Sequence, residues 1–132
     1  MKITDTEDFG SDEVNVWNLD EAVIIEPNTT TSPNLAEQTF EWTRCTGGEV
    51  RARVKVTVRL NEHDRSAEVT LTSRMFEGTS CSDNDLDSTT TKLLVVPEDG
   101  SKSVNYLMEN EEFGGEDTIR VILTITNTIA PN

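Results

Sequence analysis

The chain has 132 residues and a mass of 14.7 kDa, 34% of it hydrophobic, with 25 Asp and Glu against 11 Lys and Arg and a net charge of −14. That length suits one domain with its own core, residues 1–132, of which 1–13 and 128–132 are expected to be flexible. No apolar run is long enough for membrane insertion, and the acidity argues against nucleic acid and anionic membrane as general partners.

The start, MKITDTEDFGSDE, has no apolar stretch behind it and is not a signal peptide. EVNVWNL and AVIIE then read as short strands, and PNTTTSPNLAE as a loop. TFEWTRC, residues 39–45, puts Phe40 and Trp42 on one face, and Thr46-Gly47-Gly48 turns the chain into the next strand. In EVRARVKVTVRL, residues 49–60, Val50, Ala52, Val54, Val56, Val58 and Leu60 alternate with Arg51, Arg53, Lys55, Thr57 and Arg59. One face is buried and the other is wet. SAEVTLTSRMFE, residues 66–77, repeats the pattern with Ala67, Val69, Leu71, Ser73 and Met75 inward. NEHDR is the turn between them, and matching the inward faces sets Leu60 opposite Ala67 and Arg59 opposite Glu68. TKLLVVP and SVNYLM are two further strands joined by PEDGSK, and TIRVILTITN, residues 118–127, closes the series.

Seven to eight strands and no helical periodicity predict an all-β chain, an antiparallel β-sandwich of immunoglobulin-like or C2-like type, with a closed barrel as the alternative. The stretch from Glu49 to Asn127 resembles bacterial immunoglobulin-like sandwich modules in two places. VPEDGS matches their turn before a strand, and GGEDTIRVILTITN matches their lead into a final strand ending in Asn. The resemblance implies a surface, adhesive or spacer role. Trp42 precedes both cysteines, unlike the arrangement in antibody domains.

Charge is spread unevenly. Residues 1–43 sum to −9, 44–74 to +3 and 75–132 to −8. The basic centre reads either as a complement to its flanks or as a surface stripe for an anionic partner such as a polysaccharide.

Cys45 and Cys81 both fall at the open end of the central hairpin, nearly opposite each other. Extending the register leaves their Cα atoms within about 4.5–7 Å, which a disulfide can span. A disulfide would favour an exported or cell-surface protein. Two free, partly buried thiols are the alternative, and without C-x-x-C spacing a metal or redox pair is disfavoured.

DNDLDSTTTKLL fails as an EF-hand, because Ser88 stands where Gly is needed and Leu94 where Glu is needed. A different calcium geometry is open to it. Strands running up and down would bring the loops at 78–89 and 109–117 to one end of the sheet. Asp83, Asp85 and Asp87 from the first could then join Glu112, Glu116 and Asp117 from the second as oxygen ligands. The alternative is a pair of solvated loops.

No nucleophile elbow, phosphate loop or zinc spacing occurs, and His63 sits at a hairpin tip between Glu62 and Asp64. Trp17 and Trp42 read as core residues rather than sugar platforms. The expected function is therefore a non-catalytic, monomeric binding, adhesion or spacer module of an exported protein, with protein or carbohydrate as partner. A calcium-dependent binding domain is the second expectation, and a hydrolase with an unrecognised carboxylate pair the third.

Overall fold

Strict alternation of apolar and polar residues buries only one face of a strand, so such strands must stack as two sheets. The structure, a computed structural model, describes residues 1–5, 13–17, 37–61, 63–82, 84–112 and 115–128. They hold β1 (Lys2–Asp5), β2 (Glu13–Val16), β3 (Glu37–Thr46), β4 (Val50–Leu60), β5 (Ala67–Glu77), β6 (Leu86–Val96), β7 (Ser101–Glu112) and β8 (Gly115–Thr126). Two antiparallel four-stranded sheets result, ordered β2-β1-β8-β7 and β3-β4-β5-β6. The fold is an antiparallel β-sandwich, and the sheets do not join into a barrel. Among the described residues no helix is long and apolar enough to cross a membrane.

The central hairpin has the register its alternation predicts, with Leu60 opposite Ala67 and Arg59 opposite Glu68. Val50, Ala52, Val54 and Val56 of β4 and Val69, Leu71 and Met75 of β5 point into the core. They meet Ile3, Met108, Ile119 and Val121 of the other sheet. Leu71 and Met75 are fully buried, so truncating either to Ala would cost about 2–5 kcal/mol. Trp17 and Trp42 pack half-buried against this core, as expected of core residues, and Trp42 stacks with Phe40 at 6.4 Å. The hydroxyl of Tyr106 on β7 hydrogen-bonds that of Ser73 on β5 inside the sandwich.

Within the stretch 1–13 expected to be flexible, Lys2–Asp5 forms an interior strand between β2 and β8. Ile3 is paired with both Asn15 and Ile119 and is fully buried. Local acidity does not decide the outcome here, because a ladder on either side satisfies the backbone and Ile3 fills the core. Met1 and Trp17 extend the β1–β2 pairing through two bonds of 2.8 Å. The strand expected at AVIIE, the loop after it and residues 129–132 lie outside the described residues.

The connections opposite the disulfide end are closed by side chains. Asp64 accepts from the Ser66 N–H at 2.9 Å and the Ser66 hydroxyl at 2.7 Å. The Ser66 bonds hold its carboxyl below the usual range. VPEDGS forms a turn in which the Gly100 N–H donates to the Pro97 carbonyl at 2.9 Å, with Asp99 left-handed at φ 57°. Asn127, just past β8, donates from its amide to the carbonyls of Arg65 at 2.9 Å and Val96 at 3.2 Å. Its own N–H donates to Gly100 O at 2.9 Å. One asparagine thus ties the ends of both sheets together.

Candidate functional site

The acidic residues come first, because the sequence singles them out. The 78–85 connection and the β7–β8 turn do lie at one end of the sandwich, as up-and-down strand order requires. The stretch 109–117 is not a loop, however. Asn110 pairs with Asp117, Glu111 with Glu116 and Glu112 with Gly115, so the β7–β8 hairpin continues almost to its tip. Acidic residues and glycines have low strand propensity, but an available antiparallel partner overrides it.

Asp85 is exposed, and its carbonyl accepts the Glu77 N–H at 3.1 Å. Asp87 is not in a loop either: Phe76 pairs with Leu86 and Met75 with Ser88, which makes Asp87 the extra residue of a β-bulge. Asp117 is buried. Asp83 and the side chains of Glu112 and Glu116 lie outside the described residues. Among the described residues no three His, Cys, Asp or Glu side chains form a group that could hold a metal ion.

Asp5 and Glu77 are buried at this same end, and the calcium expectation did not include them. Their signal is strand parity. Asp5 lies two residues beyond inward Ile3, and Glu77 two beyond inward Met75. The Asp5 carboxylate lies against Gly47, where an added Cβ would come within 1.7 Å of it. Asn15 donates to the buried Thr46 hydroxyl at 3.2 Å beside them.

The two cysteines form a disulfide with Cα atoms 6.0 Å apart. The geometry differs from the simple open-hairpin expectation. Cys45 lies on β3 opposite Arg51, and Arg51 in turn lies opposite Phe76 on β5. The bridge therefore spans β4, and the 78–85 connection folds back over the outer side of the sheet. Arg51 holds it there, donating to Cys81 O and Asn84 Oδ1, each at 3.0 Å. Its guanidinium stacks 4.3 Å from the Phe76 ring centroid, and both side chains are buried although they face outward.

Below this cap the outer face of the β3-β4-β5-β6 sheet is open. Period two puts Arg53, Lys55, Thr57 and Arg59 of β4 on it, next to Thr70, Thr72 and Arg74 of β5. Thr39, Glu41 and Thr43 flank them on β3, and Thr89 and Thr91 on β6. Most of these residues are exposed, the rest half-buried. Arg53 and Arg74 occupy directly opposite Cα positions. Like charges so placed destabilise a sheet by roughly 0.2–1 kcal/mol. Glu41 offsets one of them, its carboxylate 3.3 Å from Arg53 Nε. Arg74 forms no ion pair among the described residues. Arg59 is flanked by Glu37 and Glu68, which leaves Arg53, Arg74 and Lys55 as the basic centre of the face.

Comparison with protein-family models, with curated proteins and with solved structures finds no match to this chain.

Proposed function

We propose that this chain is a non-catalytic β-sandwich module of an exported or surface protein, binding its partner through the outer face of β3-β4-β5-β6. The observation that carries this reading is the opposition of Arg53 and Arg74. Opposed arginines cost stability even on a protein of net charge −14; Glu41 and the Phe76 ring compensate Arg53, but Arg74 has no ion pair among the described residues to return that cost. An anionic partner supplies the return. The Cys45–Cys81 disulfide supports export, since such bonds persist in oxidising compartments.

Retention on a sulfonate cation-exchange matrix at low salt tests the reading. A chain of net charge −14 is held there only by a local basic patch. The native protein should be retained, and the double variant Arg53→Gln/Arg74→Gln should flow through. Flow-through of the native protein, or equal retention of both, refutes the reading.

A calcium-dependent module is the second reading. Asp5, Glu77 and Asp117 are buried at the end that also carries the 78–85 connection, and a divalent ion there would draw oxygen ligands from that connection as well. Thermal melting with and without millimolar calcium tests it. A midpoint rise of several degrees is expected, and no shift with calcium, magnesium or manganese removes this reading.

A further inference from the structure

Taking the outer face of β3-β4-β5-β6 as the binding surface, we propose that its ligand is a polysaccharide carrying carboxylate or sulfate groups. Arg53 and Arg74 grip the anionic groups, with Lys55 and the threonine hydroxyls alongside. In an antiparallel pair directly opposite Cα atoms lie about 4.5–5.5 Å apart, so side chains as long as arginine's can extend from both positions to one anionic group. The Arg53 side chain keeps 38% of its surface exposed, with its Nε 3.3 Å from the Glu41 carboxylate and its guanidinium 5.6 Å from the Phe76 ring centroid.

The donors recur along the strands. Thr43, Arg53, Arg74 and Thr89 form one row across the sheet, and Lys55, Thr72 and Thr91 donate in the next, where Glu41 is an acceptor beside Lys55. Thr39, Thr57 and Thr70 follow in the third, which the exposed Leu93 ends on β6. Rows two residues apart repeat at about 6.6–6.8 Å, which suits a ligand that is itself a repeat. An isolated small anion would engage only the first row.

Other occupants fit less well. A protein interface needs an apolar, aromatic centre depleted of charge. Here the centre is arginine, lysine and threonine, and the exposed apolar residues Leu86, Leu93 and Val95 lie on the edge strand β6. A nucleic acid would find no exposed aromatic side chain among the described residues of this face on which to stack its bases.

The test uses the full, disulfide-intact chain in titration calorimetry against polygalacturonate, dextran sulfate and neutral dextran. Binding to at least one of the two polyanions, none to dextran and loss at high salt are expected. Arg53→Gln/Arg74→Gln should weaken that binding at least about tenfold with the fold intact by circular dichroism. Arg120→Gln removes a positive charge from the outer face of the opposite sheet and should leave it unchanged. No binding to either polyanion, or binding that survives the double substitution, overturns the proposal. So does salt-sensitive self-association abolished by the double variant, which would make a second copy the occupant while the face itself stood. Failure of the face as a binding surface shows separately, as sulfonate retention that the double substitution leaves unaltered.

Discussion

Arg51 lies between Phe76, on whose ring it stacks at 4.3 Å, and the Cys81 carbonyl, to which it donates at 3.0 Å. A buried guanidinium therefore does for the 78–85 connection from below what the disulfide does covalently. Reducing the bond, or replacing both Cys45 and Cys81 with Ser, should cost about 4 kcal/mol for a loop of this length. Arg51→Met should cost about 1–3 kcal/mol, because Asn84 and the Cys81 carbonyl lose their donor. Urea midpoints measure both. Hydrogen exchange across 78–85 should quicken in each, and unchanged exchange in Arg51→Met would show that the disulfide alone holds the cap.

Arg74→Thr removes one member of the opposed pair and extends the threonine row with a good strand former. The melting midpoint should rise by about 1–4 °C. A fall of similar size would mean that Arg74 is stabilised where it stands, leaving no trade of stability for binding.

Gly47 and Gly48 are both left-handed, at φ 67° and 73°, so each pays backbone strain on gaining a side chain. Their surroundings differ. A Cβ on Gly48 meets nothing within 4 Å, whereas one on Gly47 collides with the Asp5 carboxylate. Gly48→Ala should cost about 1 kcal/mol and Gly47→Ala clearly more, with β1 displaced. Equal losses would place the whole effect in the turn.

Much of the fold is legible in the sequence because alternation is a local property with a global meaning. The β4–β5 register follows from aligning Leu60 with Ala67, since a slip of one residue would turn an apolar face outward and the short NEHDR turn leaves little room for a slip of two. The disulfide is also legible, but its route across β4 is not. That route depends on a connection folding back onto Phe76 and Arg51, residues whose alternation marks them as solvent-facing. β1 is missed for a related reason: four residues carry too little pattern, and their place is set by partners far along the chain. The basic face is legible by the same route: its β4 half stands out as alternating Arg and Lys, and the register that sets Leu60 against Ala67 also sets Arg53 against Arg74.

Tyr106 is the sole tyrosine, so phenolate absorbance reports on it alone. Burial raises its pKa above the usual 10.0, with the Ser73 hydrogen bond pulling the other way. The native protein should titrate above that value and the urea-unfolded chain near it. A raised pKa stabilises the fold fully below the unfolded value, and that contribution is lost as pH rises through the folded one. Ser73→Ala should move the native midpoint higher still. A midpoint at the unfolded value would show that the phenol is solvated.

Asn127→Ala deletes both amide bonds to the carbonyls of Arg65 and Val96. The expected loss is about 1–3 kcal/mol, and Asn127→Asp should lose at least as much, since a carboxylate cannot donate to a carbonyl. Denaturant titration measures both. If Asp restores stability relative to Ala, the amide is not the element that joins these ends.

The β2-β1-β8-β7 sheet has a kinetic consequence. Its inner pair joins the first described strand to the last, Ile3 beside Ile119, whereas the other sheet is a run of consecutive hairpins. On the ribosome or during translocation, the hairpin sheet can form as its strands emerge. β1 must wait for β8 with Ile3 exposed. Such long-range closure places folding in the slow, millisecond-to-second range of β-proteins. Until then the nascent chain is a half-sandwich, the state in which a chaperone has most reason to hold it.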